Sequence, residues 1–80
     1  MELSKRQCAI LWGLAAGLSF TDIAKRLHVS VSTVHGHRSQ LGRIYESDNA
    51  VQLLRAAVAD GQIPADVLAQ PVSSLLRKVV

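Results

Sequence analysis

The sequence predicts an all-α fold: a compact four-helix domain built around a helix-turn-helix, with a short C-terminal extension. Three observations lead there. Nearly half of the residues are apolar (49%) but only three are aromatic, so the core is made of Leu, Ile, Val and Ala. Ala- and Leu-rich windows with few β-branched runs favour helices. The stretch from Phe20 to Tyr45, FTDIAKRLHVSVSTVHGHRSQLGRIY, divides into a short helix, a tight turn and a longer helix. Eighty residues allow a single domain. Such a domain is stable only if its helices pack well, or if it oligomerises or joins something larger.

Each element has its own signal. The first helix is expected from Lys5 to about Ala16, with Ser4 as N-cap and Gln7 completing a capping box. Its apolar stripe is Ile10, Leu11, Leu14 and Ala15, and Gly17 supplies the left-handed residue that ends it. Ser19 opens the second helix, with Asp22 at the capping-box position near the positive end of the helix dipole. Ile23, Ala24 and Leu27 face inward. After a turn at Leu27-His28-Val29, Ser30 caps a third helix running to about Tyr45. Glu46-Ser47-Asp48-Asn49 is a turn in which Asp48 or Ser47 caps the fourth helix, Ala50 to Ala59, and Asp60-Gly61 ends it. The domain is drawn at residues 1–62. Residues 63–80 form the extension, where Pro64 is placed to open a short helix and Pro71 to interrupt it.

Composition excludes several classes. The single cysteine, Cys8, rules out an internal disulfide and a Cys-based zinc site, in keeping with a reducing cytoplasm. No apolar run approaches the roughly 20 residues that span a bilayer, and Met1-Glu2-Leu3 lacks the layout of a signal peptide. The expectation is a soluble cytoplasmic protein with no membrane partner and no cofactor. His35 and His37 point about 200° apart on a helix and cannot chelate one metal there. Cys8 has no histidine near it in sequence, the six carboxylates are scattered, and no glycine-rich phosphate loop follows a strand. An enzyme is not expected.

Charge is unevenly spread. Lys5, Arg6, Lys25, Arg26, Arg38 and Arg43 face only Glu2 and Asp22, so the first 43 residues carry +4, whereas the remainder carries −1. The basic part coincides with the helix-turn-helix, as it should if that part meets phosphates. At about 100° per residue, Val34, Leu41 and Tyr45 share one face of the third helix, with His37 and Arg38 at its flanks. Ser32, His35, Gly36, Ser39, Gly42 and Arg43 share the opposite face. Each interior glycine weakens a helix by roughly 1 kcal/mol relative to alanine. A face kept thin at that expense suits close approach to a DNA groove, where His35 and Ser39 reach base edges. Close packing on another helix is the alternative.

The strings Gly17-Leu18-Ser19, Ile23-Ala24, Val29-Ser30, Ser32-Thr33-Val34 and His37-Arg38-Ser39 carry a resemblance, together with Leu3-Ser4, Leu14-Ala15, Leu27, Asn49 and Ala57. From Leu3 to Ile63 the chain resembles the LuxR-type (GerE-like) DNA-binding domain, also found as the output module of NarL/FixJ response regulators. The resemblance implies four helices, the third read into the major groove and the fourth often used to dimerise, and transcriptional regulation at short repeats. Carried over by position, it places His35, Gly36 and Ser39 at bases, and Thr33 and Arg38 at phosphates. Ser32, His37, Arg43 and Lys25 are further phosphate candidates. The chain departs from the family where lysine is common at position 35, a contacting side chain at 36, glutamate at 7, and glycine at 46. Glu46 repels a nearby phosphate, so affinity is expected to fall and sequence preference to change.

Two classes remain open: a transcription regulator binding duplex DNA, and a protein-interaction module on the same fold that modulates another regulator. On the fourth helix, Ala50, Leu53, Leu54 and Ala57 pack inward, while Val51, Arg55 and Val58 suggest an isologous dimer contact. The partner there is a second copy or another regulator. Trp12 and Phe20 stand where the family usually carries polar residues. They serve either as partner anchors or as packing for Val67, Leu68, Leu75 and Leu76.

Overall fold

A polar residue in extended backbone opens each helix. The computed structural model describes residues 3–66 and Arg77. In it the side-chain oxygens of Ser4, Ser19, Ser30 and Asn49 accept the backbone N–H three residues on. Each bond satisfies one of the donors that a helix start leaves unpaired. The helices they open are α1 (Lys5–Ala15), α2 (Phe20–Leu27), α3 (Val31–Ile44) and α4 (Ala50–Ala59). At α1 the expected box is complete: Gln7 N–H donates to Ser4 Oγ at 3.1 Å, and Ser4 N–H to Gln7 Oε1 at 3.0 Å. At α3 the Ser30 and Thr33 hydroxyls also pair, at 2.9 Å.

The fourth cap corrects the sequence reading. Asn49, not Asp48 or Ser47, caps α4, its Oδ1 accepting Gln52 N–H at 2.9 Å. Ser47 stands two residues before the cap, and its N–H closes the end of α3 on the Gly42 carbonyl at 2.9 Å. Asp48 stands one residue outside the cap, and its N–H donates to Gln52 Oε1 at 2.9 Å.

All four helices end alike. The N–H groups of Leu18, Val29, Ser47 and Gln62 reach back to the carbonyls of Gly13, Ala24, Gly42 and Ala57 at 2.9–3.0 Å. Each closure passes over a left-handed residue: Gly17 (φ 80°), His28 (φ 57°), Glu46 (φ 49°) and Gly61 (φ 78°). Glycine adopts that conformation freely, and histidine is enriched there among other residues; glutamate has neither advantage.

α1 packs against the other three helices, and α2 against α3. The core comprises Ala9, Ile10 and Leu11 of α1, Ile23, Ala24 and Leu27 of α2, Val34 and Leu41 of α3, Leu53 and Ala57 of α4, and Ile63. Leu14, Ala15 and Leu54 are half-buried against it, whereas Ala50 is exposed rather than inward. Trp12 and Phe20 are also half-buried on the core. Ile63, the first residue of the expected extension, is only 2% exposed and belongs to the core. Pro64 opens no helix within residues 64–66; the rest of the expected short helix, with Val67, Leu68, Pro71, Leu75 and Leu76, lies outside the described residues. Among the described residues there is no strand, and no helix is long and apolar enough to cross a membrane.

The C-caps of α3 and α4 are tied together. Tyr45 Oη donates to Asp60 Oδ2 at 2.7 Å, and Gln62 Nε2 donates to the same oxygen at 3.3 Å. Cys8 of α1, half-buried, points its Sγ at Gln62 Oε1, 3.8 Å away. Burial, then the Asp60 carboxylate, push the Tyr45 phenol up to about 12. The Tyr45 bond holds the Asp60 carboxyl below its usual range.

Linkage gives the sign. The lowered Asp60 carboxyl stabilises the fold above about pH 4, and that contribution is lost as pH falls below it. The raised Tyr45 phenol stabilises below pH 10, and that contribution is lost between 10 and about 12. Tyr45→Phe is therefore expected to melt at a lower temperature than the parent between about pH 5 and 9. The gap should narrow at both extremes, as a series of thermal melts across pH will read. Glu46→Gly relieves a left-handed side chain and should raise stability by about 1 kcal/mol. Urea denaturation of the two chains measures the difference.

Candidate nucleic-acid interface

Only Val34 and Leu41 of the 14-residue α3 are buried as side chains in the core. They lie seven residues apart, two turns along one stripe. The opposite face is open: Ser32, His35, Gly36, Ser39 and Arg43 are all exposed, and so is Gln40, which the sequence reading left out. Gln40 follows Gly36 by four residues, a spacing that was legible in the sequence. The three residues assigned to bases, His35, Gly36 and Ser39, thus share one free face. Thr33 sits at the α3 N-terminus, half-buried beside its cap.

The two interior glycines are not equivalent. A Cβ placed on Gly36 meets nothing within 4 Å, so this position is bare toward the outside. On Gly42 it would lie 3.0 Å from Arg38 Nη1 and 3.4 Å from the Ser47 carbonyl oxygen. Gly42 is half-buried, and it leaves room for the Arg38 guanidinium to lie along the helix. This corrects the reading in which both glycines thin the outer face.

Arg38, Ser39, Gly42 and Arg43 of α3 line a shallow concavity with Glu46, Ser47 and Asp48 of the following turn. Two guanidinium groups and two carboxylates therefore share its rim. Ser47 Oγ is buried without a hydrogen-bond partner among the described residues, as is His37 Nδ1. His37 is half-buried with that nitrogen inward, which leaves only Nε2 for an external partner. Lys25 is exposed on α2 and lines a different concavity, with Leu18, Asp22 and Arg26. The structure thus separates Lys25 from the Arg38–Arg43 pair.

One contact crosses from α2 to α3 at this surface. The Phe20 and His35 rings lie 4.4 Å apart between centroids, with their planes at 75°. Aromatic pairs favour this edge-to-face arrangement. On α4, Val51 is 60% exposed and Arg55 is exposed, whereas Val58 is half-buried and packs on the core. The surface suggested for dimerisation is correspondingly narrower than three residues.

These features define a helix-turn-helix domain with one long helix presented outward. The family model described as bacterial regulatory proteins, LuxR family (GerE), matches residues 1–57. The chain belongs to this family of DNA-binding transcription regulators. No curated protein matches it by sequence. Among solved structures it is similar to "VqmA bound to DPO", with a TM-score of 0.68 and 25% identity. That likeness covers the whole of this chain and 38% of the other, so the chain spans well under half the length of that protein.

The contrast between the glycines is measurable in the free protein. Gly36→Ala should stabilise the domain by about 1 kcal/mol, since alanine is the better helix former and its methyl meets open space. Gly42→Ala should gain distinctly less, because the Arg38 side chain must move. Paired denaturation curves test the ranking.

Proposed function

We propose that the chain binds duplex DNA by seating α3 in the major groove and regulates transcription from there. The outer face of α3 supports this reading best. Ser32, His35, Gly36, Ser39, Gln40 and Arg43 are exposed together, and Gly36 leaves the backbone bare. Small and polar groups on an exposed helix face let base edges come close. His35 and Ser39 then hydrogen-bond bases, and Gly36 admits the helix to depth. Arg38, Arg43, Thr33, Ser32 and the Nε2 side of His37 take phosphates, with Lys25 adding a contact from α2. Val51 and Arg55, with the exposed edge of Val58, form an isologous contact through which two copies bind two half-sites. A second regulator on the same surface gives a heterodimer.

A second reading has its own observation. Glu46 and Asp48 share the rim with Arg38 and Arg43. Carboxylates so placed repel phosphate and suit a basic protein partner, which favours a module that modulates another regulator.

Titrating salt against binding to a randomised duplex pool separates the two. DNA binding predicts a linear fall of log K with log salt, and no binding at about 50 mM salt overturns it. Arg38→Ala should weaken all duplexes alike and lower the salt slope by about one. Ser39→Ala should change preference at one base step, by about 1 kcal/mol, with the slope kept. A uniform loss from both variants overturns the assignment of bases to Ser39. Sedimentation equilibrium with and without duplex reads the stoichiometry.

A further inference from the structure

We propose that Phe20 is a positioning residue for base recognition, holding the His35 ring so that one side chain from each helix of the motif forms a single reading unit. This rests on α3 being the surface presented to bases. The His35 imidazole is exposed, and among its neighbours three and four residues away on the outer face, Val31, Ser32 and Ser39, only Val31 is apolar and it is itself exposed. Such an exposed ring samples several rotamers.

Phe20 removes that freedom. It is the first residue of α2, half-buried and packed against the core, so its own ring has less freedom than an exposed one. Its centroid lies 4.4 Å from that of His35, with the planes at 75°. A ring fixed on one side and met at its edge or face restricts both torsions of the histidine before any base arrives. The nitrogen that faces the groove is thereby aimed in advance, and less side-chain freedom is lost on binding. The pair also accounts for two unusual residues at once: an aromatic at position 20 supports an imidazole at position 35.

The test uses the intact chain and four variants. Phe20→Leu and Phe20→Met keep apolar bulk without a ring, Phe20→Tyr keeps the ring, and His35→Ala removes the reader. Thermal melts confirm which chains are folded, and either ring-free variant serves if the other unfolds. In the free protein, the His35 Cδ2–H and Cε1–H resonances should move when the Phe20 ring is lost and stay when Phe20→Tyr retains it. Each chain then selects from a randomised duplex library at about 50 mM salt.

The parent and Phe20→Tyr should enrich a base at one position, and His35→Ala should lose that preference. Phe20→Leu should reduce the enrichment there by about two- to tenfold, with binding to a scrambled duplex unchanged. A ring-free variant that keeps the full preference overturns the positioning role, as does a His35 resonance indifferent to the Phe20 ring. Preference retained by His35→Ala also overturns it. A parent chain that enriches no sequence instead overturns base reading by α3, a different failure visible before any variant is compared.

Discussion

Everything presented by α3 depends on two buried side chains, Val34 and Leu41. Full burial of each contributes about 1.5–3 kcal/mol, and their two-turn spacing sets both the axis and the rotation of the helix. α1 provides the seat, since it packs on all three other helices and buries Ile10 and Leu11 completely. A wider apolar stripe on α3 would hold the helix more firmly, but it would consume positions that now face outward. The domain thus holds its exposed helix with little buried area, and the capping bonds at each end prevent that economy from fraying it.

Local signals carried most of this into the sequence. Ser4 with Gln7, Ser19 and Ser30 announce helix starts through a chemistry that acts over three residues, and Gly17 and Gly61 announce ends in the same short range. The inward residues of α1, α2 and α3 follow from periodicity. What could not be read needed distance in space. The identity of the α4 cap depends on where the turn places an extended residue, at Asn49, whose Oδ1 meets Gln52 N–H. Gly42 and Gly36 are equivalent in spacing, and only the Arg38 side chain beside Gly42 distinguishes them. The Phe20–His35 contact joins residues on different helices, and no periodicity within either one encodes it. Ile63 opens the expected extension, yet it is buried in the core.

The electrostatics of the site shape the reading of its function. Positive charge is concentrated in the first half of the chain, but at the end of α3 it meets Glu46 and Asp48 on a common rim. Net attraction to a phosphate backbone is therefore modest there. For a DNA-binding domain this shifts weight from non-specific affinity to geometry at the bases, where preset side chains matter most. It also makes a second binding unit valuable, because two weak half-sites engaged together bind far more tightly than either alone.

The four left-handed helix ends fall into an order along the chain. Glycine occupies the outer two, Gly17 and Gly61, while His28 and Glu46 bracket α3 itself. Of these two, Glu46 holds its side chain in a conformation that glycine adopts at less cost, immediately after the helix that faces outward. Such positions are a reserve of stability. A lineage altering the outer face of α3 tends to lose stability with each change. This domain holds, at a residue outside that face, a means to recover such a loss without altering the face itself.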